Sequence, residues 1–316
     1  MAGSIRIVTW NANGLSKHKS ELEIFLDDQK IDICLISETH FTKESNFRII
    51  GYETYHTIHP SNKARGGTAI IIRENIKHHE EPKLATESIQ AATVSVQCKR
   101  YKFTISAVYS LPRHNIQQNE YIEFLQTLEN SFIVGGDFNA KHTYWCSRYS
   151  SSKGKALFQA GKMLKCDFLS SGSSSYWPAD TNKFPDVIDF FVTKGLSTNY
   201  INVVTCLDLS SDHTPVILIL YDTIVCKENP SLVTKKVDWS NYSAYLEKNI
   251  KLNTLLKTSD QVENETKLFT EQLQHASKIN SKVFVKTKYI ASYSIEIKLQ
   301  HSWKKYIEMK VDYVEK

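Results

Sequence analysis

Residues 1–222 alternate between short apolar runs and polar punctuation, a pattern that predicts strands separated by helices. Ile5-Arg6-Ile7-Val8-Thr9-Trp10 alternates and predicts a strand, closed by the turn Asn11-Ala12-Asn13-Gly14. A helix is predicted from about Lys17 to Gln29, with Leu22, Phe25 and Leu26 on one face. Ile31-Asp32-Ile33-Cys34-Leu35-Ile36 is almost continuously apolar, the mark of a strand covered on both sides, and ends in Ser37-Glu38-Thr39-His40. Strand, helix and strand at this spacing form a β-α-β unit, which brings Asn11 and Glu38 to one edge of a sheet.

The pattern continues in the same style. Residues 43–65 predict a loop, and Arg65-Gly66-Gly67 leads into a strand over Thr68–Arg73. Ile89–Gln97 and Lys102–Tyr109 predict a hairpin around Cys98-Lys99-Arg100. Pro112 and Arg113 mark a loop before a helix at Gln117–Leu128, and a second helix is predicted at Lys155–Lys165. Strands are predicted at the apolar runs that begin at Phe132, Val187 and Pro215. From Tyr221 the character changes: helices are predicted at about Trp239–Leu256, Asp260–Lys282 and Ser292–Lys310. The expected organisation is therefore an α/β domain over residues 1–222 and a helical extension over 223–316.

Charge sharpens that division. The net charge of +5 lies wholly in residues 223–316, while residues 1–222 balance to zero. A neutral domain with a basic helical extension fits a polyanion partner, and fits a solvated helical tail almost as well. No apolar run reaches membrane-span length, and the N-terminus lacks the order of a secretory signal. The six cysteines are scattered without a C-x-x-C pair, which points to a reducing compartment.

The candidate chemistry sits at the strand ends. In Phe132-Ile133-Val134-Gly135-Gly136-Asp137-Phe138-Asn139, an acid and an amide two residues apart follow a buried run. Together they could hold and deprotonate a water; the two glycines let the backbone turn sharply, and Gly-Gly-Asp also reads as an ordinary surface turn after the strand. Glu38 suits a hard cation, which takes carboxylate oxygens alongside water and phosphate. Asn11 could bind a metal-bound water or a carboxylate, but from its neighbours alone it reads more readily as a helix cap. Asp189 lies inside an apolar strand and needs a partner, and His213, in Ser210-Ser211-Asp212-His213, is the natural one. Tyr109 ends a strand and could donate to a phosphate. Lys141-His142-Thr143-Tyr144-Trp145-Cys146-Ser147-Arg148 interleaves cations and aromatics, suiting a nucleic-acid backbone with a stacked base or, equally, a hydrophobic flap.

In this order the motifs strongly resemble the endonuclease/exonuclease/phosphatase superfamily. They are Trp10-Asn11-Ala12-Asn13-Gly14, Glu38-Thr39-His40, Gly136-Asp137-Phe138-Asn139 and Ser211-Asp212-His213, spread over residues 5–221. Within it the chain resembles the apurinic-type endonuclease domain of jockey-like non-LTR retrotransposons, through Asn11–Leu15, Gly135–His142 and Asp189–Gly195. Asn13 departs from the Asp usual in the DNA-repair relatives. The resemblance implies a four-layer α/β sandwich, two packed β-sheets flanked by helices, with a C-terminal helical extension. It implies Mg²⁺, with Mn²⁺ as a substitute, held by Glu38 with Asn11, and Asp212 supporting either the metal or the histidine. It implies Asp137, aligned by Asn139, as the group that activates water. His213, oriented by Asp189, and Tyr109 are then the phosphate contacts. Lys141, His142, Trp145 and Arg148 of the interleaved loop, with Arg113 of the loop after Tyr109, are the candidate nucleic-acid contacts read from residue type.

The activity so implied is nicking of double-stranded DNA to leave a 3′-hydroxyl that primes reverse transcription of element RNA. Its expected place is the nucleus or cytoplasm, not the secreted space. The alternatives are a catalytically silent nucleic-acid-binding remnant and a phosphatase or phosphodiesterase of the same superfamily. No Tyr/Phe-x-Asp-Asp polymerase motif follows residue 222, and 223–316 resembles the start of the linker between nuclease and polymerase. A truncated element copy or a retained nuclease gene is therefore expected.

Overall fold

A computed structural model describes residues 4–98, 101–227, 238–250 and 259–280. It divides into two compact units, Met1–Glu228 and Asn229–Lys316. Among the described residues the first carries thirteen strands: β1 Ile5–Asn11, β2 Ile33–Ser37, β3 Tyr52–Thr57, β4 Thr68–Arg73, β5 His78–Glu80, β6 Leu84–Ala85, β7 Ile89–Gln97, β8 Lys102–Ser110, β9 Phe132–Asp137, β10 Asp167–Leu169, β11 Asp189–Lys194, β12 Ile201–Thr205 and β13 Val216–Leu220. Its helices are α1 Lys19–Asp28, α2 Gln118–Gln126 and α3 Ser152–Leu164.

The strands form two mixed sheets. The first, six-stranded, runs β12-β13-β1-β2-β4-β3, and the second, seven-stranded, runs β10-β11-β9-β8-β7-β5 with β6 paired to β7. β1 and β2 are parallel, as the β-α-β reading requires, and so are β8 and β9. Ile7, Leu35, Ile70, Val94, Ile105, Ile133, Phe191 and Leu218 fill the space between the sheets. Leu22, Phe25 and Leu26 of α1 cover the outer face of the first sheet with Trp10 and Ile36. Tyr121 and Phe124 of α2 and Leu157 and Ala160 of α3 cover the second. This is the expected pair of packed sheets flanked by helices. The helix stripes bury apolar area worth roughly 25 cal/mol per Å², the main force holding the layers.

Two expectations change. The segment read as a loop contains β3, an edge strand whose residues are mostly half-buried, so its apolar signal is weak. The glycines of β9 do not make a turn; they lie within the strand. A Cβ on Gly136 would stand 1.9 Å from the Val108 carbonyl oxygen, and one on Gly135 would meet Phe191 and Leu35. Close packing, not a bend, requires glycine at both positions.

Residues beyond β13 sew the two sheets together at one end. Ile224 bridges Cys98 and Cys226 bridges Ile76, while the Tyr101 hydroxyl donates to Asp222 at 2.7 Å. Lys227 pairs with Glu53 of β3. The second unit contains α4 Trp239–Asn249, capped by the Asp238 carboxylate, and α5 Ser259–Ile279. The helix predicted at Ser292–Lys310 and the turn at Lys99-Arg100 lie outside the described residues.

Candidate active site

Strand register assembles the site. Asn11 ends β1 and pairs with Ser37, which ends β2 one residue before Glu38. Tyr109 pairs with Asp137 across the parallel β8–β9 ladder, and Asp137 with Asp189 across the antiparallel β9–β11 ladder. Asp189 thus begins its strand rather than lying inside it. His213 precedes β13, which flanks β1.

The side chains of Ser37 and Asn11 each join the two sheets at this edge. The buried Ser37 hydroxyl donates to the Val108 carbonyl at 2.8 Å and accepts from the Asp137 amide at 3.0 Å. The Asn11 amide donates to Glu38 Oε1 at 3.0 Å and to Asp137 Oδ2 at 2.9 Å. Asn11 therefore ties two carboxylates that come from different sheets. It is not a helix cap; its Oδ1 accepts from the Asn13 amide at 3.0 Å. Asn13, Glu38, His40 and Asn139 all hold left-handed backbone conformations (φ 44, 53, 57 and 46). Such conformations are uncommon for residues other than glycine and gather at functional sites.

Asp137 is buried and takes two hydrogen bonds from Asn139, its amide to Oδ1 and its side chain to Oδ2, both at 2.8 Å. Burial and then the charge of Asp189 push its pKa up to about 7, against the pull of His213. Glu38 behaves in the opposite way. Burial raises its pKa, but hydrogen bonds from His40, Asn11 and Tyr109 outweigh that and hold it below the usual value. Burial, then the charges of Glu38 and Asp137, hold the Tyr109 hydroxyl protonated.

The structure brings the buried Asp189 and His213 together: His213 Nδ1 lies 2.8 Å from Asp189 Oδ2. Burial alone would lower the imidazole pKa, but the Asp189 carboxylate, by charge and hydrogen bond, raises it to about 9. Trp10 Nε1 donates to the His213 carbonyl at 3.1 Å, and the Tyr176 ring packs against the imidazole at 4.8 Å between centroids. The charge of the half-buried Asp212 adds to the rise.

Around this centre lie the residues read as nucleic-acid contacts. Arg113 is exposed on the loop after β8. Lys141 and Arg148 converge on the buried Asp186 carboxylate at 3.0 and 3.5 Å. Trp145 sits in a 3-10 turn that rotates it inward; its ring stacks on Phe190 and its Nε1 donates to the Ala140 carbonyl at 3.1 Å. His142 stacks on Phe158, and burial, then the charge of Lys155, lowers its pKa. Trp145 is thus a core residue, out of reach of a base. The exposed aromatics of this rim are Tyr144, Tyr149, Trp177 and Phe184. Ser37, Tyr176 and Asp186 were not singled out in the sequence. Ser37 and Asp186 stand beside residues that were, yet only contacts across the fold distinguish them.

Residues 8–213 match the model of the Endonuclease/Exonuclease/phosphatase family. The chain belongs to this family. Among curated family relatives, the RNA-directed DNA polymerase from mobile element jockey of Drosophila funebris is 32% identical over 275 residues, covering 87% of this chain and 30% of its own. The probable RNA-directed DNA polymerase from transposon BS of Drosophila melanogaster is 30% identical over 280 residues, covering 88% and 31%. The chain therefore spans about 30% of the length of the curated relatives it matches. In fold, it resembles the endonuclease domain of TRAS1, a telomere-specific non-LTR retrotransposon, with TM-score 0.58 and 22% identity over 69% of this chain and 98% of that one. The AP endonuclease LMAP from Leishmania major gives TM-score 0.59 at 15% identity, over 69% and 88%.

For a member of the endonuclease/exonuclease/phosphatase family, the donor set decides whether a cation fits. Asp137, Asp189 and His213 offer ligand atoms within 4.8 Å of one another. Asp189 Oδ1 is buried and has no hydrogen-bond partner among the described residues. Two buried carboxylates facing each other across a ladder repel unless positive charge stands beside them. The Asn11 amide bonds an oxygen of Glu38 at 3.0 Å and one of Asp137 at 2.9 Å, so Glu38 adds a third carboxylate beside this group, and such an oxygen-rich set fits a hard divalent ion. His213, already bonded to Asp189, serves better as the partner of that acid than as a ligand.

Proposed function

We propose that this domain is a divalent-cation-dependent DNA endonuclease that nicks one strand of double-stranded DNA. The observation that carries the proposal is the pairing of two environments at one strand edge. Asp137, held by amides, is poised to accept a proton, while His213, held by Asp189, is poised to remain charged. In the proposed reaction Asp137, aligned by Asn139, takes the proton of a water whose oxygen attacks phosphorus. The P–O3′ bond breaks and O3′ takes up a proton from solvent, leaving a 5′-phosphate and a 3′-hydroxyl. Imidazolium His213 and the Tyr109 hydroxyl donate to the phosphoryl oxygens as charge builds on them. Glu38, with Asn11 and with Asp212 in support, is the proposed seat of Mg²⁺ or Mn²⁺, which when bound supplies positive charge to the phosphate.

Lys141, Arg148 and Arg113 are proposed to contact the DNA backbone, with the exposed aromatics beside them against sugar or base. The names of the jockey and TRAS1 proteins support a role in priming reverse transcription, with element RNA as a second partner; the proposed place is the nucleus, where a DNA target lies, or the cytoplasm. Among the described residues no helix is long and apolar enough to cross a membrane. The complete set of acid, amide and histidine residues disfavours a silent remnant.

Nicking of supercoiled plasmid tests the proposal. The wild type in Mg²⁺ is expected to convert it to open circles with religatable 3′-hydroxyl ends. EDTA is expected to abolish this, and His213→Ala to slow it by roughly 10²–10⁴-fold. A folded, Mg²⁺-supplied wild type that leaves the plasmid supercoiled refutes the proposal.

A further inference from the structure

Lys153 is a buried cation that the reaction above does not use. It is 5% exposed, and no carboxylate among the described residues pairs with it. Its place is unfavourable twice over. An ammonium loses its hydration on burial, and Lys153 stands in the first turn of α3, where the helix dipole is positive. Burial lowers its pKa to about 8, with the charge of Asp137 working against the fall. A methionine would fill the same space without either penalty.

The amine has a specific engagement that offsets them. Nζ donates to the Leu111 carbonyl at 2.7 Å and to the Ser110 carbonyl at 3.2 Å. These are the carbonyls at which the chain leaves β8, directly after Tyr109 and just before the exposed Arg113. The same turn of α3 is locked to the other loop of the site. The Ser151 hydroxyl accepts from the Lys141 amide at 3.2 Å, and the Ser151 amide donates to the Lys141 carbonyl at 2.9 Å. A Cβ on Gly154 would lie 1.8 Å from that same carbonyl oxygen, so helix and loop are flush. The start of α3 thus touches the segment after β8 through Lys153 and the segment after β9 through Ser151 and Gly154.

We propose that Lys153 is a positioning residue whose ammonium clamps the Ser110 and Leu111 carbonyls to α3, fixing Tyr109 and the Arg113 loop relative to Asp137 and Lys141. Only the consequence for rate rests on the nicking function proposed above; the clamp itself does not.

The test compares wild type, Lys153→Met, Lys153→Arg, Tyr109→Phe and the double variant Lys153→Met/Tyr109→Phe. The first readout is amide hydrogen exchange of the peptide spanning residues 109–117, measured without DNA. Lys153→Met is expected to exchange there about tenfold faster or more, with β1 and β9 unchanged, and Lys153→Arg to restore much of the protection. The second readout is plasmid nicking. Lys153→Met is expected to lower kcat by roughly 10–100-fold with KM within about twofold, and to add little once Tyr109 is already Phe.

Unchanged exchange at 109–117 in folded Lys153→Met overturns the proposal. So does a loss that multiplies in full with that of Tyr109→Phe, or an Arg variant no better than Met. Should Lys153→Met not fold, Lys153→Gln, which keeps one neutral donor, takes its place; full protection in that variant overturns the proposal equally. A wild type that does not nick removes the proposed function, while the exchange readout still decides the clamp.

Discussion

Asp137, the last residue of β9, stands directly opposite Asp189, the first of β11, and the two buried carboxylates are held by different partners. Asp137 receives three amide side-chain and backbone donors from Asn11 and Asn139, whereas Asp189 is bonded to an imidazole. Similar acids a ladder apart can therefore take different tasks: one free to exchange a proton, the other committed to keeping its neighbour charged.

The alkaline limb of activity should belong to His213. Its pKa is raised to about 9 from the ordinary 6.5. A raised imidazole pKa means that the stability of the His213–Asp189 pair is fully present below about 6.5 and is lost as pH rises through about 9. Nicking is expected to fall through the same range. In Asp189→Asn the largest influence raising the imidazole is gone and only the charges of Asp137 and Asp212 still oppose burial, so the limb should move to lower pH. A pH–rate profile and melting temperatures at pH 6 and 9.5 check both statements, and an unmoved limb in Asp189→Asn refutes the assignment.

Gly136→Ala should destabilise the fold without touching a catalytic group. The added methyl would lie 1.9 Å from the Val108 carbonyl, so β8 and β9 must part. A cost above about 3 kcal/mol is expected for such an insertion beside rigid backbone. Urea denaturation measures it, and a loss under about 1 kcal/mol would show that the ladder yields easily.

Divalent cations should stabilise the protein in proportion to the site. Mg²⁺ at 100 times its dissociation constant adds about 2.7 kcal/mol by mass action. A clear rise in melting temperature with Mg²⁺ is expected for the wild type and a much smaller one for Glu38→Gln. Equal shifts in the two would move the cation away from Glu38.

Lys141 and Arg148 share a buried counter-charge in Asp186, so their pull on DNA is partly spent within the protein. Asp186→Asn is expected to steepen the salt dependence of DNA binding and strengthen it at low salt, while lowering stability. Lys141→Ala in the wild-type background should reduce the salt slope by less than about 1. Binding titrations at several salt concentrations distinguish this from two independent cations.

What was legible in the chain were groups at the ends of well-buried strands. Asn11, Glu38, Asp137 and His213 each adjoin a run apolar enough to announce a central strand, and strand ends of one sheet share an edge. Asp189 was legible for a second reason, that a carboxylate in an apolar run demands a partner. Residues whose role comes from the third dimension were not. Ser37 is an ordinary serine until β2 lies against β8, and Lys153 reads as one more helix lysine until Ser110 and Leu111 fold beneath it. For Trp145 the sequence leaves a nucleic-acid contact and a hydrophobic flap equally open, because the 3-10 turn that rotates it inward leaves no periodic trace. Strand β3 was missed because an edge strand with half-buried residues lacks the apolar contrast that marks the interior ones.

The seam formed by residues 222–227 lies at the opposite end of the sandwich from Glu38, Asp137 and His213, beside the far termini of β4 and β7. The domain thus has a chemical end and a mechanical end. A cut or a pull at the seam would first strip the cover from Ile76 and Cys98 and let the edge strands part. The network from Asn11 to Asp189 would still be paired, so wear at one end need not be felt at the other until the layers between them separate.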